Sequence, residues 1–152
     1  MKDVLSTVQL VDAQIAQDAT LLEAAGVLVE KRVSALAMLD DDGKIIGVFG
    51  ERTLIEGLFP SYLGELHHTA FAVDDTQILD RCAQQAATEP AREHLVEAEE
   101  ITLDEDTSAT HVAELFLHHG LAALPVIRDG TFVGMLRRTD FARAMLNRQR
   151  DP

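Results

Sequence analysis

The stretch "LPVIRDGTFVGMLRRTDF", residues 124–141, decides how the chain folds. "LPVI" is short and continuously apolar, as strands buried on both faces are. "RDG" is a turn whose Gly130 can take a positive φ, and "TFVGMLR" is then the hairpin partner. "RTDFARAML" begins a helix, with Asp140 just past two arginines, Arg137 and Arg138. Ahead of the hairpin, Val112, Leu115, Phe116 and Leu117 recur at helical spacing, and Thr107 or Ser108 is placed to open that helix.

The same passage occurs once more in the chain. With Asp41 as a single insertion, Asp18 aligns with Asp106, Ala25 with Ala113, and Ala35-Leu36 with Ala123-Leu124. Asp42-Gly43 then aligns with Asp129-Gly130 and Gly47 with Gly134. Identities are few, but apolar positions match nearly throughout. Each copy reads as helix, strand, strand, helix, with a short strand before it ("QIA", 14–16, and "ITL", 101–103). Thr20, with Glu23 three residues on, opens the first copy's helix as a capping box. Each copy has about three short strands, too few to bury a core alone, so the two are expected to pack face to face as one pseudo-symmetric α/β (α+β) domain. The expected division is a first repeat over 1–60, a helical insertion over 61–94 and a second repeat over 95–152. Within the insertion, "DTQILDRCAQQAA" reads as a helix capped by Thr76 and ended or restarted at Pro90.

Composition narrows the function classes. The formal charge of −13 disfavours a nucleic-acid backbone or an anionic membrane as partner. No apolar run approaches the roughly 20 residues of a membrane span, and "MKDVLSTVQLVDAQ" lacks the pattern of a signal peptide. Cys82 is the only cysteine, so no disulfide joins two cysteines of one chain, and a reducing, cytoplasmic setting is the simplest expectation. The cations are unevenly spread: Arg128, Arg137, Arg138, Arg143, Arg148 and Arg150 all lie near the C-terminal end.

With the repeat established, the chain resembles a tandem pair of CBS domains. The resemblance rests on "AALPVIRDGTFVGMLRRTDFARAML", on the opening "KDVLST", and on the order and duplication of the pieces; an insertion after "PSYL" (60–63) resembles some stand-alone bacterial members. The family implies a regulatory, non-catalytic module that commonly dimerises and holds adenosine-containing ligands between its repeats: AMP, ADP, ATP or S-adenosylmethionine. Carried over to this chain, the resemblance implies a ligand-binding set of Leu124, Pro125, Arg137, Arg138, Thr139 and Asp140, with Leu124 and Pro125 beside the base and Asp140 on the ribose hydroxyls. A carboxylate suits a vicinal diol, and a helix start suits phosphate. The family pattern has serine or threonine where this chain has Arg137, which can bind phosphate, fill the cleft or pair with Asp140. In the first copy Gly50, Thr53 and Ala37 stand where Arg137, Asp140 and Pro125 stand in the second, so one ligand site is expected, not two. The alternative is a scaffold of the same fold that binds a protein partner and no nucleotide.

Other features have plainer readings. Asp140 can equally cap its helix and neutralise Arg137 and Arg138. His111, Glu114 and His118 share a helical face, read as solvated and not as a metal site. Cys82 reads as a small buried apolar residue, and the acidic run around Glu97–Asp106 as a solvated face. A homodimer is expected from the resemblance and from exposure of Leu54, Leu58, Phe141 and Met145.

Overall fold

A computed structural model describes residues 2–59 and 75–150. The first half comprises α1 (Lys2–Leu5), β1 (Gln14–Ala16), α2 (Leu21–Lys31), β2 (Ala35–Leu39), β3 (Ile45–Gly50) and α3 (Glu51–Leu58). After α4 (Asp75–Thr88) and a 3-10 turn (Ala91–His94), the second half comprises β4 (Val96–Glu97), α5 (Ala98–Ile101), α6 (Ala109–His119), β5 (Ala123–Arg128), β6 (Thr131–Arg137) and α7 (Arg138–Arg150). "PSYL" lies outside the described residues.

The repeat extends to fine detail. β2 and β3 pair antiparallel, as do β5 and β6, and each hairpin shifts register at the same place, between Met38 and Leu39 and between Val126 and Ile127. The second turn holds Asp129 and Gly130 both at positive φ, 52° and 76°, matching the twist of a tight hairpin. Helix starts correspond too: the Thr20 hydroxyl accepts from the Glu23 N–H at 3.1 Å and that of Ser108 from the His111 N–H at 3.1 Å. Ser108, not Thr107, is therefore the cap, while Thr107 accepts from the Asp104 N–H.

Local pattern does not reveal that the halves exchange their leading segments. Val11 bridges Met135 of β6 through two backbone hydrogen bonds of 3.0 and 2.8 Å, and α1 lies against α7. Reciprocally, Val96 and Glu97 of β4 pair with Val48 and Gly47 of β3, and the 3-10 turn lies against α3. The aligned glycines make the crossings possible. A Cβ on Gly47 would come within 2.7 Å of the Val96 carbonyl oxygen, and one on Gly134 within 2.7 Å of Leu10 Cβ. The sheets, β1-β2-β3-β4 and β5-β6, meet where β2 and β3 pack on β5. Leu36, Met38, Phe49, Leu124, Val126 and Leu136 are fully buried in one core.

Three local expectations are corrected. "ITL" is not a strand: Ile101 ends α5 as a buried core residue, and only Leu103 bridges Val126, in the parallel sense in which β1 pairs with β2. Thr76 is not a cap, because α4 already begins at Asp75. Phe141 is not exposed; it turns inward to meet Phe116, ring centroids 5.8 Å apart, and Leu54, Leu58 and Met145 are only half-buried. The exposed apolar residues are instead Val29, Leu117, Ile55 and Leu146, among others.

Candidate functional site

The crossing of the first segment builds a cleft of about 820 Å³ between the residues after α1 and the first turns of α7. One wall carries Val4, Ser6, Thr7, Val8 and Gln9; the other carries Arg137, Asp140, Arg143, Ala144, Asn147 and Arg148. α7 supplies its wall because residues 140, 144, 147 and 148 repeat at helical spacing and so share a face. Asp140 is 7% exposed, one of two buried polar residues among those described. Its Oδ2 accepts from Arg137 Nε at 2.6 Å, and its Oδ1 faces Arg143 Nη1 at 3.6 Å. Against one carboxylate the cleft presents three guanidinium groups, a cationic lining in a strongly acidic chain. Such a surface suits a ligand with anionic oxygens, since arginine offers planar paired donors to phosphate.

The six predicted residues do not stay together. Arg137 and Asp140 line the cleft. Leu124 and Pro125 are buried in β5, where Pro125 opposes Met135 and its carbonyl accepts from Leu103. Arg138 lines a separate hollow with Ser34, Gly50, Glu51 and Arg52. Thr139 is exposed on the first turn of α7 and is not part of the cleft wall. The cleft is also lined by Ser6, Thr7, Gln9, Arg143, Asn147 and Arg148, none of which belongs to the expected set. The signal for the last three was the helical spacing from Asp140; for the first three it was the resemblance of "KDVLST" to a leading segment, without any indication of which repeat that segment would cover.

In the first repeat the counterpart positions are occupied differently. Thr53, the counterpart of Asp140, is buried and folds back onto Gly50: its Oγ accepts from the Gly50 N–H at 2.8 Å and donates to the Gly50 carbonyl at 2.9 Å. Its hydroxyl is spent within its own turn. Gly57, the counterpart of Ala144, has the His94 ring against it, 3.0 Å from where a Cβ would stand.

The histidines of α6 lie on a solvated face. His111 and His118 face Glu114 at 3.6 and 3.8 Å, with all three side chains more than half exposed. Cys82 is buried, and its Sγ lies 3.2 Å from the Leu58 carbonyl.

The family model for the CBS domain matches residues 3–59 and again residues 93–147. The chain belongs to the CBS domain family. A curated relative, the chloroplastic CBS domain-containing protein CBSX1 of Arabidopsis thaliana, is 26% identical over 136 residues, 86% of this chain. This chain spans 58% of that relative's length. Among solved structures, the CBS-pair protein CBSX2 from Arabidopsis thaliana superposes with a TM-score of 0.71 at 20% identity, covering 98% of this chain and 97% of the other. CBSX2 in complex with AMP superposes with a TM-score of 0.59 at 21% identity, covering 95% and 91%. The paired CBS fold read from the repeat is thus the fold of the chain. No described helix is long and apolar enough to cross a membrane.

Proposed function

We propose that this CBS pair is a regulatory module that takes an adenine nucleotide, or a related adenosyl ligand, in the cleft between its leading segment and α7. The observation that carries this reading is the buried Asp140 carboxylate at a helix start, facing a cleft lined by arginines and by the hydroxyl-bearing Ser6-Thr7 segment. Asp140 accepts from the ribose hydroxyls while the arginines meet phosphate. That the related fold of CBSX2 occurs in complex with AMP supports the assignment of ligand class. The cleft is formed by residues from both ends of the chain. A ligand held there links the leading segment to α7, so its binding free energy favours one relative arrangement of the repeats. Exposed Val29 and Leu117, which occupy aligned positions on α2 and α6, support a homodimer as the unit that carries the change.

The test is a thermal-shift panel on the purified chain with adenosine, AMP, ADP, ATP and S-adenosylmethionine, and with guanine nucleotides and free phosphate as controls. A ligand at 100 times its Kd stabilises the fold by about 2.7 kcal/mol. A selective adenosine-type shift is the expected result. A flat panel discards the sensor reading in favour of a protein-binding scaffold, which the Arg137–Asp140 pair across the site would then explain.

That pair makes a separate prediction. Arg137 is about half exposed (46%), so its bond to Asp140 contributes little to stability; its effect is to occupy a lone pair that the ribose needs. In the nucleotide complex Arg137 turns from Asp140 to phosphate. Arg137→Ser therefore tightens binding of adenosine, which has no phosphate, and weakens binding of AMP. Calorimetry should show the AMP-over-adenosine preference fall about tenfold, the worth of one hydrogen bond to a charged group. An unchanged preference would remove Arg137 from phosphate recognition.

A further inference from the structure

Away from the Asp140 cleft, the turn between α4 and β4 gathers a second set of donor atoms. Glu89 follows α4, and Glu93 and His94 lie in the 3-10 turn; one ligating atom from each lies within 4.8 Å of the other two. Two carboxylates thus sit side by side, and among the described residues neither pairs with a lysine or arginine. The adjacent cation, Arg92, turns instead to Gln17 Oε1 at 3.2 Å. His94 Nε2 stands 3.1 Å from Glu89 Oε1, its side chain 24% exposed and its ring packed against Gly57. The backbone below is pinned to the start of α2: the Leu21 N–H donates to the Glu89 carbonyl and the Ala91 N–H to the Ala19 carbonyl, both at 2.9 Å.

We propose that Glu89, Glu93 and His94 form a binding site for a zinc-class divalent cation. One imidazole nitrogen and two carboxylate oxygens make a three-ligand zinc set with the fourth position open to water. The imidazole argues against magnesium and calcium, which take oxygen ligands. Donor atoms around a tetrahedral zinc stand roughly 3.3 Å apart, as zinc–ligand distances near 2.0 Å require. His94 and Glu89 already stand at that spacing, and Glu93, whose oxygen lies within 4.8 Å of both, closes by up to about 1.5 Å; it is exposed and free of the packing that holds His94. Binding through Nε2 requires neutral His94 with its proton on Nδ1. The ion offsets the two crowded carboxylates and ties the end of α4 to the turn that packs on α3.

The experiment is calorimetric titration of zinc chloride into the tag-free full chain after stripping with EDTA, with magnesium chloride in parallel. One zinc per chain is expected in preference to magnesium. Glu93→Gln and Glu89→Gln should each weaken zinc binding at least about tenfold, the scale on which metal sites respond to lost partners. His118→Ala on α6 should leave it unchanged. Glu93 is exposed, so its variant keeps the fold, checked by its unfolding midpoint without metal. Absence of zinc binding, or zinc binding indifferent to both glutamate variants, overturns the site.

Discussion

Asp140→Ala lowers affinity for adenosine and its nucleotides by about ten- to a hundredfold, because hydrogen bonds to a charged group are each worth about 1.5–3 kcal/mol. The loss falls on adenosine as well as on AMP, since in the proposed complex the group removed meets the ribose and not the phosphate. Two opposing effects bear on the folded state. The variant removes a buried carboxylate whose attraction to Arg137 and Arg143 offsets its desolvation, but Arg137 is about half exposed and Arg143 more so, and water solvates them once the carboxylate is gone. It also removes an acidic group from the first turn of α7, which costs roughly 0.3–1 kcal/mol. The unfolding midpoint therefore drops by only a few degrees while binding collapses. Calorimetry with adenosine and AMP, beside a thermal melt, separates these. Unchanged affinity in a folded variant would leave Asp140 as a helix-start charge and remove the ribose role.

The paired strands were legible in sequence because each is marked twice. A continuous apolar run such as "SALAML" or "AALPVI" is short enough for a strand, and a glycine-bearing turn follows it. The contact of Arg137 with Asp140 was legible for the same reason of locality: three residues apart at a helix start, they meet without help from the rest of the fold. The site as a whole was not legible, because its two walls come from opposite ends of the chain. Nothing in "KDVLST" says that this segment leaves its own repeat to lie on β6. Leu124 and Pro125 stand beside the base by resemblance alone, through their backbone; their side chains are buried in β5 and line no part of the cleft. Phe141 was misread for a related reason. Its neighbour Asp140 is polar, yet both turn inward, Asp140 to the cleft and Phe141 to Phe116.

Gly134→Ala loses stability and binding together, and it tests the exchange of leading segments more severely than any change in the cleft. Two costs act at this position. Gly134 has φ +145°, a conformation that side-chain-bearing residues rarely adopt, with a strain of about 1–3 kcal/mol. The added Cβ would also stand 2.7 Å from Leu10 Cβ and 3.3 Å from the Val11 carbonyl oxygen, and relieving such overpacking costs a further 1–3 kcal/mol or so. Leu10 can move only by drawing Val11 off Met135, and with it the segment that carries Ser6 and Thr7 into the cleft. The expected result is a midpoint lower by about 10 °C, given roughly 2–4 °C per kcal/mol for a chain of this size, with weakened nucleotide binding in whatever remains folded. Gly130→Ala is the matched control: its φ of +76° is strained for alanine, but nothing lies within 4 Å of the added Cβ. That change costs only about 1 kcal/mol and spares the cleft. If Gly134→Ala melts no lower than Gly130→Ala and binds nucleotide as well as the wild type, the leading segment does not cross onto β6, and the cleft it walls does not exist in solution.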